Sequence, residues 1–413
     1  MITAEGVRDL DDVIADLLAD PSAVPDTLAG QPGWWQSLAH GALGIALLHA
    51  ERAGAGLGSW RRARDWLAAA TRSPVAAGAG SHLFHGAPAL AYVLSRAAAC
   101  GWTGGERTMS LLDGAIVREV AVRTGRAHAR IDTGELPDLA EFDLIRGLTG
   151  SGAYLLRRAP SSDSLRDVLE YLVRLTEPAV ADGVLVPGWW TPVSPSGQRT
   201  TRFAGGHANL GMAHGIGGPL ALLSLAVRHG VTVDGQLAAI CRMCSWLADW
   251  QSSDPTRPGW PYWIDLPSHR HGQRPGCWPQ RLGWCYGTAG LARAIQLASI
   301  ATGDPGLRSI AETALIIAVE GQAVTHDLSL CHGQTGLALI ATAVADDASS
   351  EGIATQLRRF AGDQLDAIRV RHDDLAHGSP GLGFLDGAAG IALAFTSRRA
   401  GTSSGWAACL LIT

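Results

Sequence analysis

One short pattern occurs seven times in this sequence: a glycine, a second glycine three residues later, and an almost wholly apolar run of helical length. The runs begin at His40, His85, Arg146, His214, Tyr286, His332 and Asp386, and the first glycines are Gly41, Gly86, Gly147, Gly215, Gly287, Gly333 and Gly387. The second glycine is replaced in the second run, by Ala89. Because glycine weakens a helix interior, glycines at a helix start indicate that neighbouring backbones approach closely there.

A second kind of helical pattern separates these runs, with apolar residues on one face and charged residues on the other. Its copies are VRDLDDVIADLLAD, WRRARDWLAAATR, SLLDGAIVREVAVR, SLRDVLEYLVRL, QLAAICRMCSWLADW, LRSIAETALIIAV and IATQLRRFAGDQLDAIRV. An apolar helix has to be buried on every side, whereas an amphipathic helix faces solvent. The alternation therefore predicts an all-α fold, a seven-fold α/α toroid with two concentric layers of seven helices each, inner and outer. A closed ring needs no end caps, so we expect residues 1–413 to form a single domain.

The predicted toroid places all seven apolar helix starts at one end of the barrel, where residues from distant repeats can meet. The connections at that end are long in the fourth and fifth repeats. They are rich in tryptophan: Trp189, Trp190, Trp260, Trp263, Trp278 and Trp284. These rings either cover a site for an extended ligand or pack the mouth of the barrel. Segments 101–140, 178–213 and 252–283 are the candidates for an inserted element.

The composition excludes several classes of function. The formal net charge is −5 and no basic cluster occurs, which argues against nucleic-acid binding. The chain has no lysine, so Schiff-base and P-loop lysine chemistry are excluded. We find no uncharged apolar run of about 18 residues and no secretory pattern at the N-terminus. The seven cysteines follow no disulfide framework, so we expect a cytoplasmic protein without membrane insertion.

Cysteine precedes the first glycine by two residues in both the fifth and the sixth repeats. Cys285 and Cys331 therefore occupy equivalent positions in adjacent repeats, and we expect them to face each other. His332 adds an imidazole beside Cys331. Two thiolates and one imidazole suit Zn²⁺, and three protein ligands leave a fourth position open, as in catalytic zinc sites. The alternative is that these residues only pack at helix ends.

The motifs GMAHGIGG, GWCYGTAG and LCHGQTG, with FDLIRGLTG before them and GFLDGAAGIALA after them, resemble those of the lanthionine synthetase C-like family, or lantibiotic cyclases. The resemblance extends in the same order over essentially the whole chain. It implies a seven-fold α/α toroid with one Zn²⁺ per chain, held by Cys285, Cys331 and His332. It also implies that the protein closes thioether rings in a ribosomally made peptide.

The same resemblance implies catalytic or supporting roles for four further residues: His214, Asp143, Arg281 and Tyr286. The reaction would be conjugate addition of a peptide Cys thiol to dehydroalanine or dehydrobutyrine. His214 would protonate the resulting enolate, and Asp143 would orient His214. Arg281 would stabilise the enolate charge, and Tyr286 would donate a hydrogen bond. Two alternatives stay open, a helix cap for Asp143 and an ordinary ion pair for Arg281.

The implied partners are a dehydrated precursor peptide, a separate dehydratase and an exporter complex near a membrane. The dehydratase has to be separate because nothing in the sequence resembles a dehydratase or kinase domain. Two other functions stay open: a zinc prenyl transferase, and a non-catalytic zinc-containing scaffold that binds thiol peptides. A prenyl transferase needs a basic diphosphate pocket, which the scattered arginines do not show. A scaffold has no need of His214, Asp143 or Arg281.

Overall fold

The computed structural model of the chain describes residues 8–276, 282–321, 326–370, 381–401 and 405–413, which are mostly helical. In chain order the helices are α1 (Leu10–Leu17), α2 (Asp26–Ala29), α3 (Ala42–Gly54), α4 (Trp60–Ala70), α5 (Ala87–Ala99), α6 (Glu106–Asp132), α7 (Leu139–Phe142), α8 (Leu148–Arg158), α9 (Asp163–Arg174), α10 (Gly217–Arg228), α11 (Gln236–Trp250), α12 (Leu266–His271), α13 (Thr288–Thr302), α14 (Pro305–Glu320), α15 (Gln334–Asp346), α16 (Glu351–Val370) and α17 (Ala388–Ala400). Short 3₁₀ helices occupy Pro21–Ala23, Trp34–Gln36, Thr201–Phe203 and Gly405–Leu410.

The apolar runs that follow the glycine pattern form α3, α5, α8, α10, α13, α15 and α17. These inner helices are buried over most of their surface, although Thr342 of α15 is exposed. Every residue of α10 from Gly217 to Ala226 is buried, and so is every residue of α13 from Thr288 to Ser299. Successive residues of an α-helix point in directions about 100° apart, so unbroken burial requires packing on all sides.

The predicted amphipathic segments form α1, α4, α6, α9, α11, α14 and α16. These outer helices have a buried face and an exposed face. In α9, Leu165, Val168 and Leu172 are buried, whereas Arg166 and Glu170 are exposed. This spacing of three and four residues places the apolar side chains on one stripe of the helix, as the sequence predicts.

Two features go beyond the predicted pattern. Helix α6 has 27 residues and continues well past the amphipathic segment SLLDGAIVREVAVR, because no proline interrupts the residues that follow. The long connections also contain two small antiparallel sheets. Strand β1 (Ala179–Ala181) pairs with β2 (Val184–Val186), and β3 (His207–Asn209) pairs with β4 (Trp263–Asp265). Strands of three residues are too short for side-chain alternation to reveal them.

The chain forms two compact units. The first comprises Met1–Asp113, His326–Thr335 and Gly362–Trp406, and the second comprises Gly114–Thr325, Gly336–Ala361 and Ala407–Thr413. In the first unit α17 packs against α1 and α3, so the first and seventh repeats are neighbours. The assignment of residues 1–413 to a single domain stays a prediction.

Backbone hydrogen bonds connect the loops that precede neighbouring inner helices. In the first unit the amide of Cys331 donates to the carbonyl of Leu385 (2.9 Å), and the amide of Leu385 donates to the carbonyl of Ala39 (2.8 Å). The amide of Leu38 in turn donates to the carbonyl of Phe84 (2.9 Å). The sixth, seventh, first and second repeats are therefore joined in order.

In the second unit, backbone hydrogen bonds of the same kind connect the loops that precede neighbouring inner helices. The amide of Leu144 donates to the carbonyl of Ala213 (3.0 Å), and the amide of Ala213 donates to the carbonyl of Cys285 (3.3 Å). The third, fourth and fifth repeats are joined in this way. Each acceptor is the residue two positions before the first glycine, so the repeats meet in a common register.

The second glycine of the pattern lies where these loops press on the helix start. A Cβ atom on Gly290 would collide with the carbonyl oxygen of Trp284 and would lie 3.2 Å from the Cβ of Met212 in the preceding repeat. A Cβ on Gly44 would lie 2.8 Å from the amide nitrogen of Phe384. The predicted close approach of neighbouring backbones is confirmed at these two positions.

Candidate metal centre and catalytic residues

Three potential metal ligands lie together just before the starts of α13 and α15. The ligand atoms of Cys285, Cys331 and His332 are all within 4.8 Å of one another, and all three residues are partly exposed. Zinc takes Cys sulfur and His nitrogen ligands in four-coordinate sites. The donor set of two thiols and one imidazole therefore fits Zn²⁺, with one position left for a ligand from outside the chain.

The imidazole of His332 is bonded to the carboxylate of Asp327. Its Nε2 lies 3.1 Å from Asp327 Oδ2, and the other carboxylate oxygen, Oδ1, accepts the backbone N–H of Ser329 at 2.9 Å. Burial by itself would raise the pKa of the Asp327 carboxyl, but the hydrogen bonds from His332 and Ser329 outweigh burial and lower it. Asp327 is therefore a carboxylate that can hold the ring in one orientation.

A second carboxylate lies on the opposite side of the same ring. Asp386 Oδ1 is 4.0 Å from Nδ1 of His332, which is beyond hydrogen-bond distance. Asp386 Oδ2 is 3.1 Å from Nδ1 of His40. Asp386 therefore pairs with His40, and Asp327 is the direct partner of His332.

His214 and Asp143 form a second histidine–carboxylate pair. Nδ1 of His214 lies 2.6 Å from Asp143 Oδ2. The Asp143 side chain is fully buried, and its Oδ1 accepts the backbone N–H groups of Arg146 (2.6 Å) and Gly147 (2.7 Å). One carboxylate thus stabilises the turn that leads into α8 and also orients the imidazole. Asp143 is therefore bonded to a histidine, whereas the N-cap position of α8 is occupied by Gly147.

The ring of Tyr286 lies beside His214, with ring centroids 6.4 Å apart. Asn209 donates from Nδ2 to the phenol oxygen of Tyr286 at 2.9 Å, and Asn209 Oδ1 accepts the N–H of Gly211 at 2.9 Å. The ring of Tyr262 packs at 5.6 Å on Tyr286. Tyr286 directly follows the potential metal ligand Cys285 in the chain, and its ring lies beside that of His214.

The predicted tryptophan-rich connections are mainly packed into the protein. Trp189, Trp190, Trp260 and Trp284 are at most 2% exposed. Trp263 is partly exposed and contacts the rings of Phe203 and Tyr262. For the four buried rings the packing interpretation is correct. Trp278 and the candidate catalytic residue Arg281 lie outside the described residues.

Sequence reasoning missed the partners of the candidate residues. Asp327 holds His332, Asn209 holds Tyr286, and Asp386 pairs with His40. A signal existed for Asp386, which takes the place of histidine before the first glycine of the seventh repeat. Asp327 precedes the start of α15 by seven residues and Asn209 precedes the start of α10 by eight, and nothing in that spacing identifies their partners.

We find no helix among the described residues that has the length and apolar character needed to span a bilayer. Residues 34–411 match the family model described as lanthionine synthetase C-like protein. The solved structure of a nisin cyclase matches with a TM-score of 0.77 and 18% identity, covering 98% of this chain and 96% of that chain. Among curated protein sequences, none matches the chain. The structural likeness confirms the predicted fold class, an all-α helical toroid.

Proposed function

Because the chain belongs to the lanthionine synthetase C-like family, whose model covers residues 34–411, we propose that it is a zinc-dependent lanthionine cyclase. Its substrate is a dehydrated precursor peptide, and its product contains thioether rings. The proposal depends above all on the cluster of Cys285, Cys331 and His332, whose ligand atoms lie within 4.8 Å of one another. The solved structure that shares its fold is named as a cyclase, of nisin, which supports a cyclase function here.

Cys285, Cys331 and His332 would hold the Zn²⁺, and a metal bound there would supply one kind of chemistry, the lowering of the pKa of a peptide Cys thiol so that it reacts as the thiolate. The two protein thiolates would add negative charge beside the substrate sulfur and would keep it nucleophilic. Because all three ligand residues are only partly exposed, the site is accessible to a peptide side chain while being shielded from much of the solvent. The other candidate residues then have two tasks. They transfer one proton, and they stabilise the negative charge that develops on the enolate.

His214 is suited to carry the proton. Asp143 binds its Nδ1, which leaves Nε2 for exchange with the substrate. Nε2 accepts the proton released by the peptide thiol and later gives it to the α-carbon of the enolate. The carbon–sulfur bond forms as the alkene π bond breaks, so the thiol adds across the double bond with no other reactant. Imidazole is a suitable group for both transfers because its ring nitrogen can accept a proton and give it up again.

Tyr286 is suited to stabilise the enolate oxygen. Its phenol oxygen accepts a hydrogen bond from Asn209, so the phenol proton is directed away from Asn209 and can be donated to substrate. The ring packs between Tyr262 and His214, which fixes its position relative to the proton carrier. For Arg281 the sequence-based proposal stands, that its guanidinium also stabilises the enolate charge.

The proposed partners are those that the chemistry requires. Dehydroalanine and dehydrobutyrine arise from Ser and Thr by loss of water, so a separate dehydratase has to act on the peptide first. We propose that the protein works in the cytoplasm, in contact with that dehydratase and with an exporter complex at the membrane surface. Association of the three would pass a partly modified peptide from one site to the next.

The test measures zinc and ring closure in the same preparations. The wild type and Cys331→Ala are compared, with Cys241→Ala as the matched control because Cys241 is an exposed cysteine on α11. The substrate is a synthetic peptide with one dehydroalanine and one Cys. Ring closure is followed by mass spectrometry as loss of the thiol's reaction with N-ethylmaleimide, since cyclisation itself leaves the mass unchanged.

We expect about one zinc per chain and peptide cyclisation in the wild type and in Cys241→Ala. Cys331→Ala should lose both. A folded wild type that takes up no zinc when supplied with it would overturn the proposal. A zinc-loaded wild type that binds the peptide without consuming its thiol would support the non-catalytic scaffold instead.

A further inference from the structure

We infer that Asp327 is a positioning residue for the metal centre: it keeps the proton of His332 on Nε2 and so leaves Nδ1 as the metal-binding nitrogen. The inference depends on the proposed zinc site. It adds a residue that is not among the Cys and His ligands predicted from the sequence. Asp327 contacts the imidazole and is not a ligand itself. The contact of 3.1 Å with Nε2, against 4.0 Å between Nδ1 and Asp386, determines which nitrogen carries the proton.

The two oxygens of Asp327 have separate tasks. Oδ1 accepts the backbone N–H of Ser329 at 2.9 Å and stabilises the turn, as Asp residues commonly do. Oδ2 is thereby directed to Nε2 of His332. Because the first bond fixes the carboxylate plane, the second bond fixes the ring. A rotation of the imidazole would exchange its two nitrogens and break the bond to Oδ2.

The loop around this contact is held by its own hydrogen bonds. The carbonyl of Asp327 accepts the N–H of Gln334 at 2.9 Å, and the hydroxyl of Thr335 donates to the carbonyl of Leu328 at 2.6 Å. The hydroxyl oxygen of Ser329 lies 3.4 Å from the N–H of His332. The segment from Asp327 to the start of α15 is therefore closed on itself. Metal binding does not have to order it.

A carboxylate on the far nitrogen of a metal-binding histidine has two effects. It selects the tautomer whose other nitrogen is unprotonated, and it makes that nitrogen more basic. Loss of such a partner typically weakens metal binding about 10- to 100-fold. For this chain the effect should appear in the affinity for zinc itself, before any peptide is added.

Asp327→Asn separates the two tasks. The single amide oxygen can still accept the N–H of Ser329 and keep the turn, while the amide nitrogen replaces Oδ2 and presents a donor to a nitrogen that is itself a donor. The matched control is Asp304→Asn. Asp304 Oδ1 accepts the backbone N–H groups of Gly306 (2.8 Å) and Leu307 (3.1 Å) at the start of α14, so the control makes the same change in a similar turn.

The probes are Zn²⁺, titrated in competition with a chromophoric chelator, and Co²⁺, whose absorption spectrum reports the number and geometry of thiolate and imidazole ligands. We expect Asp327→Asn to bind Zn²⁺ about 10- to 100-fold more weakly and to show an altered Co²⁺ spectrum. Asp304→Asn should match the wild type in both. Wild-type affinity and an unchanged spectrum in a folded Asp327→Asn protein would overturn the inference.

A second measurement needs no change at Asp327. In ¹⁵N-histidine-labelled wild type, the resonances of His332 are identified by their loss in His332→Gln, and their shifts show which ring nitrogen is protonated. The inference requires a protonated Nε2 with zinc bound, and a proton on Nδ1 would contradict it. If the wild type binds no zinc at all, the proposed function fails. If it binds zinc and only these two results are negative, the role of Asp327 alone fails.

Discussion

His214 and His332 occupy the same position, directly before the first glycine of their repeats, and each is bonded to a carboxylate. Asp143 holds His214 by Nδ1, whereas Asp327 holds His332 by Nε2. In both pairs the second carboxylate oxygen accepts backbone N–H groups of its own turn. The two sites are therefore built alike and differ in the nitrogen that is left for chemistry.

That difference follows from where each carboxylate comes from. Asp143 belongs to the third repeat and reaches His214 in the fourth, whereas Asp327 precedes His332 by five residues in the same loop. Asp327, in the same loop as His332, contacts Nε2 of the ring. Asp143, in the repeat before His214, contacts Nδ1. In the function that we propose, one repeat position thus supplies a metal ligand in His332 and a proton carrier in His214.

The largest expected contrast is between His332→Ala and His214→Ala. His332→Ala should lose zinc and ring closure together, because it removes one of three protein ligands. His214→Ala should keep about one zinc per chain and lose ring closure by about 10²- to 10⁴-fold, the usual contribution of a general acid–base group. Zinc per chain and the rate of thiol consumption measure the two effects. Loss of zinc in His214→Ala, or cyclisation at the wild-type rate, would remove the contrast.

A smaller effect is expected for Asp143→Asn, the counterpart of Asp327→Asn. The amide oxygen can keep the turn before α8, but the amide nitrogen faces Nδ1 of His214 and no longer orients the ring. We expect ring closure to slow about 100-fold, the cost of a misplaced catalytic group, with zinc binding unchanged.

Asp143→Ala serves as the comparison for that variant. It leaves the buried N–H groups of Arg146 and Gly147 without their acceptor, so we expect an additional loss of about 1–3 kcal/mol in the free energy of unfolding. Rates and urea unfolding of both variants separate orientation from stability. Equal rates for Asp143→Asn and the wild type would show that His214 needs no carboxylate.

The smallest effect concerns histidines that lack a carboxylate partner. His49 and His207 bond to the backbone carbonyls of Leu18 (2.7 Å) and Val193 (2.8 Å), and burial lowers the pKa of each to about 4. In the unfolded chain their pKa is about 6.5, so their neutral forms contribute full stability above that pH. That stability is lost as the pH falls from about 6.5 toward 4, because the unfolded chain binds protons first.

Each of these two histidines should make the free energy of unfolding fall by about 1.4 kcal/mol per pH unit within that window. Urea unfolding between about pH 6.5 and 5, above the range in which carboxylates titrate, measures the slope. His207→Gln should show a shallower slope than the wild type. Identical slopes would mean that His207 is not buried in its neutral form.

The fold and the grouping of the three candidate metal ligands were predictable because both are properties of the repeat. Burial on all sides of α10 and α13 follows from their apolar runs, and the register of the glycines aligns Cys285 with Cys331. The partners Asp327 and Asn209 were not predictable. Each lies in an irregular loop, where the fold of the backbone decides which side chain meets which.

The two contacts of the Asp143 carboxylate were also not predictable from the sequence alone. FDLIRGLTG indicates a carboxylate near a helix start, and a helix cap and a histidine partner are both reasonable expectations for it. Geometry was needed to show that one carboxylate oxygen binds His214 while the other accepts N–H groups of the turn before α8, whose N-cap position is Gly147. Similarly, burial of Trp189 and Trp260 depends on how the long connections fold, which the abundance of tryptophan does not reveal.

The backbone hydrogen bonds that join neighbouring helix starts have a consequence for how such a protein can change over evolutionary time. They use main-chain atoms, and the glycines beside them provide the space, so these backbone bonds do not depend on which side chain stands directly before the first glycine. That one position holds histidine four times and arginine, tyrosine and aspartate once each. Mutation can therefore exchange the chemistry of each repeat independently, while the architecture that surrounds it is inherited unchanged.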